Sequence, residues 1–176
     1  MISKELWYTT EYASPLGQLL LASDGTALTG LWFYGQKHFA ALLDRKGIKQ
    51  KMCNCQDIEA LADAHRWLGE YFKGEKPEWL PQIRFYGSEF SCCVWRNLLL
   101  IPYGQTTTYG ELSRSVARDL GLQSMSAQAI GGAVGHNPVG IIVPCHRVVG
   151  AGGKLTGYAG GLERKEWLLR HEGYSW

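Results

Sequence analysis

Residues 144–147 read Pro-Cys-His-Arg and follow the apolar run Gly140-Ile141-Ile142-Val143. The run reads as a short buried strand, and where it stops a thiol stands beside an imidazole. The thiolate rather than the thiol is the nucleophile, and an unperturbed Cys with a pKa of about 8.5 is only a few per cent ionised near neutrality. Cys145 therefore needs a base. Adjacent side chains on a strand point to opposite faces, so His146 can serve Cys145 only if the chain turns there or a water carries the proton between them. Pro144 favours such a turn. Taken alone, a Cys-His dipeptide is better explained as a small core residue next to a hydrogen-bonded structural histidine. The flanking sequence decides against that.

The elements that must position this pair are legible from periodicity. Apolar and β-branched runs at residues 6–12, 18–22 and 27–33, separated by Ser14-Pro15 and Asp24-Gly25, predict a strand meander. Helical periodicity runs over residues 58–72 and closes at Lys73-Gly74. Residues 75–87, with Pro77, Pro81 and Gly87, read as a linker. Ser88 is placed to cap a helix that reaches Ile101 and is stopped by Pro102 and Gly104. Thr108-Tyr109-Gly110-Glu111 fits a capping box, which puts Tyr109 at the first helical position. The next helix is expected over residues 126–134, with Gly135 as a left-handed terminator. The chain thus reads as α/β in the α+β sense: a small N-terminal sheet and helix domain, residues 1–85, and a mostly helical C-terminal domain, residues 86–176.

The helix over 126–134 is unusual in composition. Gly131 and Gly132 each cost roughly 1 kcal/mol relative to Ala in a helix interior, a penalty justified where a backbone must lie close against something. Close packing on another helix is one reading, and approach to a nucleic-acid groove is the other. Two short helices joined by a turn resemble a helix-turn-helix, but the second helix has few long polar side chains to read base edges in a major groove. It suits the minor groove, where shape matters and the donor and acceptor pattern is degenerate.

Composition limits the alternatives. The 176 residues carry 18 Lys/Arg and 16 Asp/Glu, a net charge of +2. Residues 1–86 hold ten of each sign, so the excess lies entirely in residues 87–176. A protein gripping duplex DNA through many phosphates would be more basic, so modest affinity and a weak salt dependence are expected. There is no signal-peptide pattern and no membrane-spanning run, and five cysteines lack a disulfide-framework spacing. A monomer of the reducing cytoplasm is expected, with no membrane association. Cys53-Asn54-Cys55 and Cys92-Cys93 lack the gap of a zinc knuckle, so neither a metal nor any other cofactor is expected.

The stretch Gly131-Gly132-Ala133-Val134-Gly135-His136-Asn137-Pro138-Val139-Gly140-Ile141-Ile142-Val143-Pro144-Cys145-His146-Arg147-Val148-Val149-Gly150 resembles the active-site signature of the 6-O-alkylguanine-DNA alkyltransferases, also called methylated-DNA–protein-cysteine methyltransferases. Tyr158-Ala159-Gly160-Gly161-Leu162 and Lys165-Glu166-Trp167-Leu168-Leu169-Arg170-His171-Glu172-Gly173 resemble the later elements of that family, in the expected order. The likeness is firm over residues 86–176. It is loose over 1–85, resting there mainly on Ser14-Pro15-Leu16-Gly17.

The resemblance implies direct-reversal DNA repair. An alkyl group on 6-O-methylguanine, and by extension 4-O-methylthymine, would pass irreversibly to Cys145 in a single-turnover reaction on a base flipped out of double-stranded DNA. It implies that His146 accepts the thiol proton through water, Glu172 orients and charge-stabilises His146, and Asn137 braces the turn. Tyr109, Val148, Tyr158 and Ala159 would line the base pocket, and Ser126, Ala127, Gln128, Ala129 and Gly131 would meet the minor groove. Arg147 is expected to tie down the turn rather than to react. The small Gly140 and Ala159 are read as tolerating larger alkyl groups as well as methyl, with no preference between them fixed by the sequence. In one respect the chain departs from the pattern: the family's usual Arg, inserted where the flipped base was, is replaced by Gln128. Two other readings fit less well. A non-catalytic lesion-binding relative would lack the reactive Cys, and a Cys-His hydrolase would leave the small-residue helix without a purpose.

Overall fold

The computed structural model describes residues 6–175, apart from the Lys46 side chain, and divides into two compact units. The first holds the residues up to Tyr86 together with Pro138–Gly140, and the second holds Gly87–Asn137 and residues 141 onward.

In the first unit, β1 (Leu6–Ser14), β2 (Gly17–Ser23) and β3 (Leu28–Phe33) form the expected meander. Ser14 shapes the first hairpin: its hydroxyl donates to the Gly17 carbonyl at 2.6 Å and accepts from the Leu16 amide at 3.1 Å. The short helix α1 (Ala41–Lys46) then leads to β4 (Lys49–Met52), which pairs parallel to β1, giving the order β3-β2-β1-β4. Residues 19–23 of β2 are all buried because both faces of the sheet are covered. One face packs Trp7, Leu20, Ala22 and Trp32 with Ala40, Leu43 and Ile48 around α1. The other carries Tyr12 against His65 of α2 (Glu59–Phe72), whose buried stripe is Ala60, Leu61, Ala64, Trp67, Leu68 and Tyr71.

Of residues 75–87, expected to be a linker, those up to Tyr86 are instead fastened to this unit. Trp67 Nε1 donates to the Trp79 carbonyl at 3.0 Å and Trp79 Nε1 to Glu70 at 2.9 Å. The Leu28 amide and carbonyl bond Gln82 and Arg84 at 2.7 and 3.0 Å. Asp24 anchors the far end: Oδ1 accepts from the Thr26 and Ala27 amides, while Oδ2 accepts from Arg84 and Tyr86. A proline- and glycine-rich composition signals irregular backbone but does not by itself mean mobility.

In the second unit α3 (Glu89–Leu99) starts at Ser88, whose hydroxyl accepts from the Ser91 amide, and ends two residues before Ile101. The strand β5 (Thr107–Thr108) runs straight into α4 (Tyr109–Asp119) through the capping box of Thr108 and Glu111. Next comes α5 (Ala127–Gly135), capped by Ser126. Trp95 Nε1 of α3 donates to the Ala133 carbonyl of α5 at 2.9 Å, and Asn97 of α3 donates to Asp119 of α4 at 2.8 Å. Beyond α5, β6 (Val148–Val149) pairs parallel to β5, and α6 (Leu162–His171) closes the unit.

Two expectations fail here. Gly135 is not a left-handed terminator. It lies inside α5, and the helix ends because the His136 amide bonds the Gly132 and Ala133 carbonyls and the Asn137 amide bonds Val134, which satisfies the last carbonyls without an αL residue. The apolar run 140–143 is also no strand. Val139 makes a single bridge to Leu31, the Gly140 amide donates to the Leu31 carbonyl at 2.9 Å, and Ile141 then takes φ +65°, which breaks the alternation a strand requires. The run is apolar because it is a buried turn.

Asp24 generates a stability prediction. Burial disfavours its charge, but bonds from Ala27, Thr26 and Tyr86 outweigh that and hold its pKa at about 2. With an ordinary value of 3.8, the shift corresponds to about 2 kcal/mol. A depressed carboxylate pKa stabilises the fold above about pH 4, and that contribution is lost as the pH falls through about 2. Asp24→Asn, which keeps Oδ1 but not the charge, should lower the urea unfolding free energy by about 1–2 kcal/mol at pH 7, with the difference from wild type vanishing near pH 2.

Candidate active site

Four pieces of the second unit converge on Cys145: the segment after α5, the turn 144–147, the loop after α3 and the C-terminal end of α6. Asn137 follows α5 directly, and its Nδ2 donates to the Val143 carbonyl at 2.8 Å, which ties the end of the helix to the start of the turn. Pro144 leads into a single 3₁₀ turn, Cys145–Arg147, closed by bonds from the Cys145 amide to Val143 and the Arg147 amide to Pro144 at 2.8 and 3.0 Å. This turn puts a thiol, an imidazole and a guanidinium on consecutive residues, all buried. The alternation expected of a strand is absent, and so is the objection that Cys145 and His146 must face apart.

The carboxylate of Glu172, the C-cap residue of α6, organises the turn. Each oxygen accepts two hydrogen bonds. Oε1 takes His146 Nε2 at 2.6 Å and Arg147 Nη2 at 3.1 Å, and Oε2 takes Arg147 Nε at 2.8 Å and the Gly104 amide at 3.1 Å. Gly104 is required at that position: it has φ +74°, and a Cβ would lie 2.9 Å from the Glu172 carbonyl oxygen. Arg147 also donates to the Ile101 carbonyl at 2.6 Å and lies over the ring of Tyr103.

These contacts set the protonation states. Burial opposes ionisation of Glu172, but His146 and Arg147 outweigh it and hold the carboxyl well below the usual range. Glu172 is then only an acceptor, so His146 Nε2 must be the protonated ring nitrogen. His146 is fully buried, and burial lowers its pKa despite the charge of Glu172. The neutral ring therefore presents its Nδ1 lone pair, and Nδ1 has no hydrogen-bond partner among the described residues. Burial likewise raises the pKa of Cys145, against the lowering effects of Asn137, Lys165 and the local amides. At neutral pH the arrangement is an un-ionised thiol with an un-ionised base of defined tautomer.

Around the thiol, Tyr109 and Tyr158 both have their pKa values raised, first by burial and then by the charge that Cys145 would carry. Tyr109 packs its ring near Gly131 and its hydroxyl donates to the Thr156 carbonyl at 3.4 Å. Val148 is buried beside the turn and Ala159 is half-buried next to Tyr158. Ser126, Ala127, Gln128 and Ala129 do not join this cluster. They form the exposed first turn of α5, with Gly131 half-buried behind them.

Sequence reasoning did not assign a role to Lys165, which is fully buried in α6. Its Nζ donates to the carbonyls of Val148, Thr156 and Gly157 at 2.5, 2.8 and 3.0 Å. Burial pulls its pKa down to about 8, against the opposing pull of Cys145. Three acceptors need three N–H donors, which only the ammonium form has. Lys165 thus pins the strand after Cys145 to the loop before Tyr158. The signal was present in the spacing, because residues 165, 168, 169 and 172 share one helical face and all four are buried. A lysine in a Leu-Glu-Arg-Lys-Glu segment nonetheless reads as surface. Among the described residues there is no cluster of three or more potential metal ligands, and no helix is long and apolar enough to cross a membrane.

Known proteins share this architecture. The family model for the DNA binding domain of 6-O-methylguanine DNA methyltransferase matches residues 89–174, and that for its ribonuclease-like domain matches residues 7–79. The methylated-DNA–protein-cysteine methyltransferase of Mycolicibacterium paratuberculosis is 43% identical over 159 residues, covering 90% of this chain and 88% of its own. That of Methanosarcina acetivorans is 39% identical over 166 residues, covering 94% and 98%. The crystal structure of Mycobacterium tuberculosis OGT in complex with DNA is similar with a TM-score of 0.77 and 38% identity, covering 94% of this chain and 92% of that one. With both domains matched and relatives aligned along nearly their whole length, the chain belongs to the methylated-DNA–protein-cysteine methyltransferase family.

Proposed function

We propose that this protein repairs double-stranded DNA by direct reversal, taking the methyl group of 6-O-methylguanine onto Cys145, as a cytoplasmic monomer and without a cofactor. The observation that carries the reading is the buried Cys145 thiol beside a neutral His146 whose tautomer is set by Glu172, within a chain of this family. 4-O-Methylthymine presents the same alkyl–oxygen bond and is the natural second substrate.

The exposed first turn of α5 would dock in the minor groove. Ser126, Ala127, Gln128 and Ala129 are exposed, and a Cβ at Gly132 would meet nothing, so the free face of the helix is small enough for close approach to the groove floor. Extruding the lesion costs a few kcal/mol, less for a poorly paired base, which biases recognition towards damage. Tyr109, Tyr158, Ala159 and the backbone of Val148 would receive the base. Lys165 would keep the Val148 carbonyl and the loop before Tyr158 in register with it.

In the chemical step the thiol proton passes to His146 Nδ1 through a water, and Glu172 stabilises the imidazolium that forms. The Cys145 sulfur then attacks the methyl carbon. The new S–C bond forms as the C–O bond breaks, and the departing guanine takes one proton back from the relay. The thioether product is not cleaved by water, so each protein acts once.

The direct test is intact and peptide mass spectrometry after mixing with a duplex bearing one 6-O-methylguanine. One added methyl per protein on the Cys145 peptide, absent in Cys145→Ala, is expected. Tight lesion binding without a mass change would contradict the transfer. Because His146 must be neutral to accept the proton and its pKa is lowered, the single-turnover rate should fall with acidification only below about pH 6.5 and be flat above it. A break at pH 8 or higher would indicate that thiol ionisation, not the imidazole, is limiting. Gln128→Arg should tighten binding to the flipped-out complex by about 1 kcal/mol, roughly fivefold in Kd, through added charge and stacking surface. Equal affinities in a titration of both proteins would refute that.

A further inference from the structure

We infer that a groove on α4, built around Arg114 and Arg118, holds the phosphate backbone of the duplex beside the docked α5; the inference rests on the DNA-repair reading above. Residues 120–146 contain no Lys, Arg, Asp or Glu, so α5 and everything between it and the nucleophile are uncharged. A helix pressed into the minor groove lies between two strands of phosphates, and on this stretch nothing answers their charge. The cations immediately preceding it are Arg118 and Arg114.

Both arginines are exposed, one turn apart on α4. With Ser113 on the same helix and Gln123 and Ser124 in the connection to α5, they line a single groove that ends at the residue before the Ser126 cap. Arg114 feels the charge of Glu111, three residues before it on α4, only at a distance. Neither arginine makes an ion pair among the described residues, and Arg118 Nη2 donates only to the Ser115 hydroxyl, at 3.1 Å. The hydrogen bonds of the acidic residues of α4 go elsewhere: Glu111 accepts from the Thr107 and Thr108 hydroxyls and the Thr108 amide, and Asp119 accepts from Asn97.

This chemistry suits a phosphodiester. Two guanidinium forks supply directed donors and full charge, while the Ser124 hydroxyl and the Gln123 amide supply neutral ones. It also matches the division of labour in helix-turn-helix proteins, in which the first helix crosses the backbone and the second enters the groove. A chain with Gln at position 128 thus keeps its hold on the backbone through α4.

The test compares wild type with Arg114→Gln/Arg118→Gln, using Arg96→Gln/Arg170→Gln, two exposed arginines outside the groove, as the control of equal charge. Fluorescence anisotropy with an unmodified duplex between 50 and 200 mM KCl reads the affinity and its salt slope. Methyl transfer from 6-O-methylguanine as the free base reads the pocket alone. The groove variant should lose about one unit of log Kd against log salt for each phosphate contact removed, close to two in all, and bind about tenfold or more weakly at low salt. Its rate with the free base should equal that of wild type, and the control should keep the wild-type slope. An unchanged slope in the groove variant, or the same loss in the control, would overturn the assignment. Wild-type protein that transfers methyl from the free base yet binds no duplex would contradict both this inference and the DNA reading.

Discussion

A carboxylate buried without partners costs several kcal/mol, enough to unfold a small domain, and Glu172 avoids this only because four donors meet its two oxygens. Those donors come from separate pieces of chain: the loop after α3 through Gly104, and the turn of the nucleophile through His146 and Arg147. The C-terminal end of α6, the 3₁₀ turn and the loop can therefore occupy only one arrangement. Removing any one donor halves the hydrogen bonding of a buried carboxylate oxygen. The interaction that sets the tautomer of the base is the same one that holds three segments of the unit together.

The resting charge state follows from this arrangement and bears on single use. Burial raises the thiol and lowers the imidazole, so neither ionises ahead of the substrate. A thiolate is the form that reacts with oxidants and stray electrophiles. On the proposed single-use reaction a wrong alkylation of Cys145 could not be reversed, and an un-ionised thiol guards against it. Lys165 contributes to the same balance, with a positive charge near the thiol that favours the thiolate once the proton has moved.

Much of this was legible in the residues, and the parts that were not share a cause. The caps at Ser88 and Thr108 and the periodicity of α2 are local rules acting over three or four residues, and the structure has them where those rules place them. The ordered Cys-His, Tyr and Glu motifs brought the family into view for the same reason. What eluded the sequence was non-local. Residues 140–143 are apolar because they are buried, and nothing in the run says that Ile141 adopts a left-handed backbone. The fork from Arg147 to Glu172 spans 25 residues. Lys165 is buried only because three carbonyls from 8, 9 and 17 residues away gather on it. Gly135 was misread because glycine marks many helix ends, whereas here it is the last residue of α5 without a positive φ, and the His136 and Asn137 amides end the helix.

The central claim is that His146 rests as a neutral base with its proton on Nε2 and its lone pair on Nδ1. Nitrogen NMR of the imidazole in ¹⁵N-histidine-labelled protein, assigned with His146→Gln, reads this directly. The expected spectrum at pH 7 shows His146 Nε2 protonated and Nδ1 bare, and this persists as the pH is lowered past 6.5 while exposed histidines become charged. A His146 that is doubly protonated at pH 7, or that carries its single proton on Nδ1, would contradict the account.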